Sequence, residues 1–354
     1  MRGGPARGRD GPGAASATAE HASGTPRLVT MSTVITPPAI RLSEPDAELV
    51  RVLADDVAAA DGVMPLNESA RLSLGGAVPL HSHWLARESE SDDGAGRGLL
   101  GYAHWDGREQ TVQLMVAPGA RRRGIATRLV RAVVGHTTLS CARDEKAPIP
   151  AALNWWAFGD LPAARGLAAG LGLSPVRSLL VMSMATPGDD EHGARPPEGL
   201  TLDSYRDDDL ERLVEVNRAA FAHHPEQGAM TAEDARRRMG QDWFDPAGLI
   251  VAREASGRLV GFHWTKVEGA GEDRRGEVYV IGVHPDWARM GIGRALLDAG
   301  ILRMENQGAR AIDLYVEASN PPVVRMYRSA GFRVVSTDTA YARVPAEADQ
   351  EQNR

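Results

Sequence analysis

Gly276-Glu277-Val278-Tyr279-Val280-Ile281-Gly282-Val283-His284-Pro285-Asp286, running on through Arg289-Met290-Gly291-Ile292-Gly293-Arg294-Ala295-Leu296-Leu297, decides how this chain reads. A β-rich apolar run ends in a short Gly-rich loop, after which Ile292, Ala295, Leu296, Ala299 and Leu302 recur at helical spacing. The stretch therefore predicts a buried strand, a tight turn and the first turns of an amphipathic helix. Such a junction suits an anion. Gly291 and Gly293 let the backbone approach closely, and the free N–H groups at the helix start, with the positive end of its dipole, favour a pyrophosphate. Taken alone, a Gly-x-Gly pair is equally at home in any strand-to-helix turn.

The same pattern occurs earlier as Val116-Ala117-Pro118-Gly119-Ala120-Arg121-Arg122-Arg123-Gly124-Ile125-Ala126-Thr127-Arg128-Leu129-Val130. Val116 and Val283, Pro118 and Pro285, and Gly124 and Gly291 are each 167 positions apart (283 − 116, 285 − 118, 291 − 124), which marks an internal duplication. A strand-like segment precedes each copy, Leu100-Gly101-Tyr102-Ala103-His104-Trp105 in one and Val260-Gly261-Phe262-His263-Trp264-Thr265 in the other. A helix and a late strand follow each, the strands expected at 150–156 and 311–316. Leu99 to Trp105 and Thr111 to Val116 read as a hairpin turning at Asp106-Gly107. Leu49, Val50, Leu53 and Val57 mark a helix over 46–60, and Met64 to Ser69 reads as a loop opening the next one.

Composition bounds the rest. The 354 residues suffice for two domains, and 43% hydrophobic content suffices for a core in each. Residues 1–37, rich in Gly, Ala, Ser, Thr and Pro, read as a disordered tail, with Met31 an alternative start. The domains are expected at 38–187 and 198–346, joined by a Pro/Gly/acid-rich linker at 188–197 and followed by a flexible end at 347–354. No apolar run reaches bilayer length and the N-terminus has no hydrophobic secretion segment, so a cytoplasmic monomer with no membrane contact is expected. A net charge of −7 speaks against nucleic acid and for a small-molecule substrate. Cys141 is the only cysteine, which excludes an internal disulfide or a multi-cysteine metal site, and it reads as a packing residue. His223-His224 lack a third ligand at ligand spacing, so no metal is expected.

Arg/Gln-x-x-Gly-x-Gly/Ala after a strand, with Asn and Tyr some way downstream, resembles the GNAT acyltransferases. That resemblance implies an α/β (α+β) fold of two tandem acyl-CoA N-acyltransferase domains, each a mixed, mostly antiparallel sheet flanked by helices, whose central strands splay to admit acetyl-CoA. It implies backbone contacts to the acetyl-pantetheine arm from Ile281, Gly282 and Val283, and from Leu114, Met115 and Val116 in the first half. The pyrophosphate would lie on Ala288, Arg289, Met290, Gly291, Ile292, Gly293 and Arg294, and in the first half on Arg122, Arg123, Gly124, Ile125, Ala126 and Thr127. Ala288 stands where the family usually has Gln or Arg, which removes a side chain from the site and leaves its backbone donors. Asn320, Pro321, Pro322, Val323, Val324 and Arg325 would complete the acetyl-CoA site.

By the same resemblance Tyr327, in Asn320-x₆-Tyr327-x₃-Gly331-Phe332, is the acid that protonates the leaving thiolate, and Glu277 is the base for the incoming ammonium. A core aromatic and a solvated edge residue are the plainer readings of the two. The matching first-half stretch, Asp160 to Ala168, has no Tyr, and the position six residues before Val116 is Gln110, so the first half reads as a retained scaffold. Ala220-Phe221-Ala222-His223-His224-Pro225-Glu226, Gly261-Phe262-His263-Trp264-Thr265-Lys266 and Leu314-Tyr315-Val316-Glu317 resemble a narrower, tandem-domain branch of the family. Its acceptor is the cysteinyl amine of a cysteine–glucosamine–inositol thiol precursor. Trp156 to Arg165 agrees with that branch except at Phe158, where His is expected. The branch implies acceptor contacts from Glu68, Glu226, Lys266, Glu277 and Tyr315. Acetylation of another amine, such as a protein N-terminus or an aminoglycoside, and a catalytically silent acetyl-CoA-binding module are the competing readings.

Overall fold

A computed structural model describes residues 33–89, 98–137, 149–186, 195–222 and 227–344. The first half runs β1 (Thr33–Ile35), α1 (Glu44–Asp61), α2 (Glu68–Ser73), β2 (His81–Glu88), β3 (Leu99–Asp106), β4 (Thr111–Val116), α3 (Ile125–Thr137), β5 (Asn154–Ala157), α4 (Pro162–Gly170) and β6 (Ser174–Ala185). The second runs β7 (Leu200–Ser204), α5 (Leu210–Ala220), α6 (Ala232–Met239), β8 (Leu249–Glu254), β9 (Leu259–Glu268), β10 (Arg275–Val283), α7 (Ile292–Asn306), β11 (Ala311–Glu317), α8 (Pro321–Ser329) and β12 (Arg333–Ala342).

Local chemistry sets many of these bounds. Ser43 accepts the Asp46 N–H at the start of α1, and Gly62 closes that helix in the left-handed region. Thr231 and Asp234 form a reciprocal capping box on α6. Asn320 caps α8, whose first turn holds Pro321 and Pro322, positions where a missing N–H costs nothing. Along α7 the inward face is Ile292, Ala295, Leu296, Leu297, Gly300, Ile301 and Met304. Leu302, expected on that face, is exposed instead, because the turn that packs on the sheet continues through Gly300 and Ile301. Gly300 is required there: a Cβ would stand 2.0 Å from the ring of His263, whose Nδ1 bonds the Leu296 carbonyl at 2.8 Å.

Among the described residues all twelve strands form one sheet in the order β1-β2-β3-β4-β5-β12-β6-β11-β10-β9-β8-β7. It is mixed and largely antiparallel, as expected. Only β4–β5 and β10–β11 are parallel. On one face of the first-half strands, α3 packs Leu129 and Val133 onto Trp84, Ala103 and Val112; on the other, α1 and α2 cover Leu85, Tyr102 and Met115. In the second half Leu297, Ile301, Val324 and Tyr327 pack with Leu314 and Val316, while Leu213 and Val216 pack with Phe262 and Trp264.

Three expectations are corrected. The chain is ordered before residue 38: Thr33–Ile35 pairs antiparallel with Glu88–Ala86, and that pairing supplies order to a segment without apolar periodicity. Nor do the halves keep their strands to themselves. β6, from the first half, pairs with β11, and β12, from the second, pairs with β5, while β6 and β12 pair with each other. The segment expected to begin a strand at residue 150 is a turn up to Leu153, and β5 starts at Asn154. The expected tail up to residue 32, the whole expected flexible end at 347–354, most of the expected linker, and Cys141 lie outside the described residues.

Candidate functional site

Parallel pairing between β10 and β11 stops after Arg275↔Ala311, Gly276↔Ile312 and Glu277↔Asp313. From there to Val283, β10 is paired only with β9, leaving the backbone of Ile281–Gly282–Val283 open toward β11. The first half repeats this: β4 meets β5 only at Thr111↔Asn154 and Val112↔Trp155, and Leu114 to Val116 lie beyond. Each gap leads to a loop of the same backbone shape, with Arg122 and Gly124 at φ 64° and 78° in one and Arg289 and Gly291 at 64° and 83° in the other. Gly291 begins α7 without any side-chain cap, so the first N–H groups of that helix have no side-chain acceptor at the N-cap. This is a fit for a pyrophosphate.

The side chains around the two loops differ. Arg121 is bound at 2.8 Å through both terminal nitrogens to Asp61, whereas its counterpart Ala288 leaves that side of the second loop bare. Arg294 is turned along α7 to Asp298 at 2.8 and 3.0 Å, with Ser329 at 3.3 Å, so this guanidinium braces α7 against α8. Asn320 to Arg325 start α8 on the far side of the gap, Asn320 accepting the Val323 N–H at 3.5 Å.

A β-bulge at Tyr279 shapes the opposite end of β10. Before it Val278 packs into the α7–α8 core; after it Val280 packs into the α5 core, so alternation reverses and Tyr279 joins Val280 on the latter side. Glu277 stands opposite Lys266 on β9. Lys266 is 5% exposed, donates to Glu68 at 3.1 Å, pairs with Glu268 at 2.9 Å, and lies 5.0 Å over the Trp243 ring. Glu68 comes from the first half. Its other oxygen accepts the Tyr279 hydroxyl at 2.6 Å. Burial pushes the Glu277 carboxyl up to about 7; Lys266 opposes that rise, and Glu68, Glu268 and Asp313 add to it. Burial alone would lower the Lys266 ammonium, but Glu68, Glu268 and Glu277 together hold it raised. Three carboxyl groups around one ammonium leave this side of the gap acidic, suited to a cationic acceptor.

Tyr315 lies on β11 two residues beyond Asp313, the partner of Glu277, and projects to the same face, 54% exposed. Tyr327 is elsewhere: 4% exposed on α8, edge-on to Phe332 with centroids 5.8 Å apart, in the core of Leu314 and Val316 on the other face of the sheet. Burial raises its phenol. The sheet therefore brings Glu68, Lys266, Glu277 and Tyr315 together and sets Tyr327 across it. Glu226, His223 and His224 lie outside the described residues. In the first half the residue paired opposite Asp106, the counterpart of Lys266, is Thr111, since β4 has no bulge and Gln110 falls in the turn at φ 54°. Neither could serve as a base. Phe158, where His is expected, stacks on Trp156 with ring centroids 6.2 Å apart. Tyr279, Trp243 and Glu268 are site residues that sequence reasoning did not single out. Among the described residues no group of His, Cys, Asp and Glu is placed to hold a metal, and no helix is long and apolar enough to cross a membrane.

Residues 210–332 match the Acetyltransferase (GNAT) family. Over 325 residues the sequence is 54% identical to the mycothiol acetyltransferase of Propionibacterium freudenreichii subsp. shermanii, covering 92% of this chain and 97% of that one. It is 41% identical over 314 residues to the mycothiol acetyltransferase of Clavibacter sepedonicus, covering 86% and 96%. Among solved structures, a tandem GNAT protein from the clavulanic acid biosynthesis pathway superposes with a TM-score of 0.62 at 19% identity, over 89% of this chain and all of that one. A GCN5-related N-acetyltransferase from Sphaerobacter thermophilus gives 0.60 at 23% identity, over 89% and 96%. At these identities the structures speak for the fold.

Proposed function

The chain belongs to the mycothiol acetyltransferases of the GNAT family, and from that membership we propose that it moves the acetyl group of acetyl-CoA onto the cysteinyl amine of a cysteine–glucosamine–inositol precursor, giving mycothiol and CoA. The observation that carries the catalytic assignment is the Glu277 carboxyl, raised by burial to about 7 beside the open edge of β10. A base poised near neutrality suits the deprotonation of an ammonium.

Chemistry belongs to the second half. Ile281, Gly282 and Val283 receive the acetyl-pantetheine arm, Ala288 to Arg294 receive the pyrophosphate, and Asn320 to Arg325 form the other wall. Glu277 takes the proton of the acceptor ammonium, directly or through a water. As the nitrogen–carbon bond forms and the carbon–sulfur bond breaks, backbone N–H near Val283 stabilises the negative charge on the acetyl oxygen. Tyr327 gives its proton to the departing sulfur, which leaves as the CoA thiol. Glu68, Lys266 and Tyr315, with Glu226, hold the amine and the sugar hydroxyls. The first half keeps the loop, Leu114 to Val116 and Arg122 to Thr127, without acid or base, and contributes Glu68.

The test is incubation of the whole chain with acetyl-CoA and the cysteinyl–glucosaminyl–inositol acceptor, with the product followed by mass spectrometry. An N-acetylated product with its thiol free is expected. Acetylation of a protein N-terminus or an aminoglycoside in its place would overturn the acceptor assignment.

A further inference from the structure

Glu68 sits on a helix of six residues, too short to hold its place by its own hydrogen bonds. Two sets of contacts hold it. From the first half, the Gln113 Oε1 accepts the Asn67 N–H at 2.8 Å, and Asn67 in turn caps α2 by accepting the Ala70 N–H at 2.9 Å. Gln113 is 1% exposed on β4, so its amide is fixed by the sheet. Beside it Ser69 reaches Asp106 at 3.5 Å, and Asp106 is itself bonded to His81 at 3.2 Å. From the second half, Lys266 and the Tyr279 hydroxyl take one oxygen each of the Glu68 carboxylate. The Tyr279 ring is wedged between Trp243 and Trp264, with centroids 4.9 and 5.5 Å away, and the bulge turns it to that side. Each carboxylate oxygen keeps a lone pair for a further donor.

We propose that Gln113 and Tyr279 are positioning residues for acceptor binding, acting from opposite halves through Glu68: Gln113 fixes where the residue starts and Tyr279 where its carboxylate ends. The inference rests on the reading that the acceptor meets Glu68. It makes acceptor affinity, and not acetyl-CoA affinity, depend on a buried amide in the half that has no acid or base.

The test is a pair of double-mutant cycles, Gln113→Leu with Glu68→Ala and Tyr279→Phe with Glu68→Ala. Each single variant should raise the acceptor KM about 10-fold or more, as loss of a hydrogen bond serving a charged group does, with kcat and the acetyl-CoA KM unchanged. Each double variant should be no worse than Glu68→Ala alone. Additive losses, or a parallel rise in the acetyl-CoA KM, would overturn the proposal. If Gln113→Leu does not fold, the Tyr279 cycle decides. A wild type inert toward the cysteinyl acceptor would sink the functional reading instead; the Tyr279–Glu68 cycle is then read in denaturant unfolding free energy, where additivity overturns the positioning and non-additivity keeps it.

Discussion

What suits Glu277 to the proposed role of base lies in its surroundings. The carboxyl rises from an ordinary 4.5 to about 7 because burial outweighs Lys266 across the strand pair. Two consequences carry a sign. As a base it must be deprotonated, so kcat should climb as pH rises through about 7, and Glu277→Gln should lower kcat and abolish that limb of the profile. In folding, a raised pKa means that the native state holds this proton between 4.5 and about 7 while the unfolded state does not. Stability should therefore fall as pH rises across that window, and the Gln variant should lose this decline when unfolding is measured in denaturant at several pH values. For Tyr327, Tyr327→Phe should slow acetyl transfer by about 10²- to 10⁴-fold with acetyl-CoA binding nearly unchanged. Wild-type turnover in the Phe variant, with chemistry limiting, would make Tyr327 a packing residue of the Leu314–Val316 core. Tyr279 was not legible, since Val278 to Ile281 is an unbroken apolar run in which a reversal of faces leaves no mark; the bulge is also why Thr111, and not Gln110, stands in the place of Glu277.

At the scale of elements, the duplicated strand–loop–helix was visible because its chemistry is local: glycines at left-handed positions, apolar residues at helical spacing, Asn320 and two prolines starting α8. The loops are alike in backbone and differ in what lies beyond them, which makes them a matched pair for experiment. Val at Gly291 or at Gly124 would meet similar strain, since both glycines lie near φ 80° and a β-branched residue there costs on the order of 1–3 kcal/mol. On the proposed assignment, only the second loop serves a site with both an acid and a base. Gly291→Val should therefore abolish turnover, while Gly124→Val, destabilised to a similar degree, should keep most of it. Comparable losses in two variants shown by circular dichroism to be folded would mean that both loops serve the reaction.

At the scale of the whole molecule, the sequence predicted two domains in series and could not reveal how their last strands are distributed. Pairing between distant segments depends on which edge is open after the other strands have assembled, and β6 carries the same alternating pattern whichever edge it joins. Further contacts tie the halves together, among them Arg177 to Glu317 at 2.6 Å, Gly159 N–H to Asp338 at 2.7 Å, Tyr341 hydroxyl to Asp160 at 2.6 Å, and Lys266 and the Tyr279 hydroxyl to Glu68. A fragment of residues 195–344 would lack both β6 and β5. The seven residues of β11 would then present an unpaired edge, and β12 would have no strand beside it. The whole chain should accordingly unfold in a single transition by calorimetry. The 195–344 fragment expressed alone should aggregate or show no cooperative transition. Co-expression with residues 1–194 should return a soluble complex that turns over acetyl-CoA. A monomeric 195–344 fragment that unfolds cooperatively and binds acetyl-CoA as the whole chain does would show that the shared strands join two domains already stable apart, and that the first half matters to the second only through Glu68.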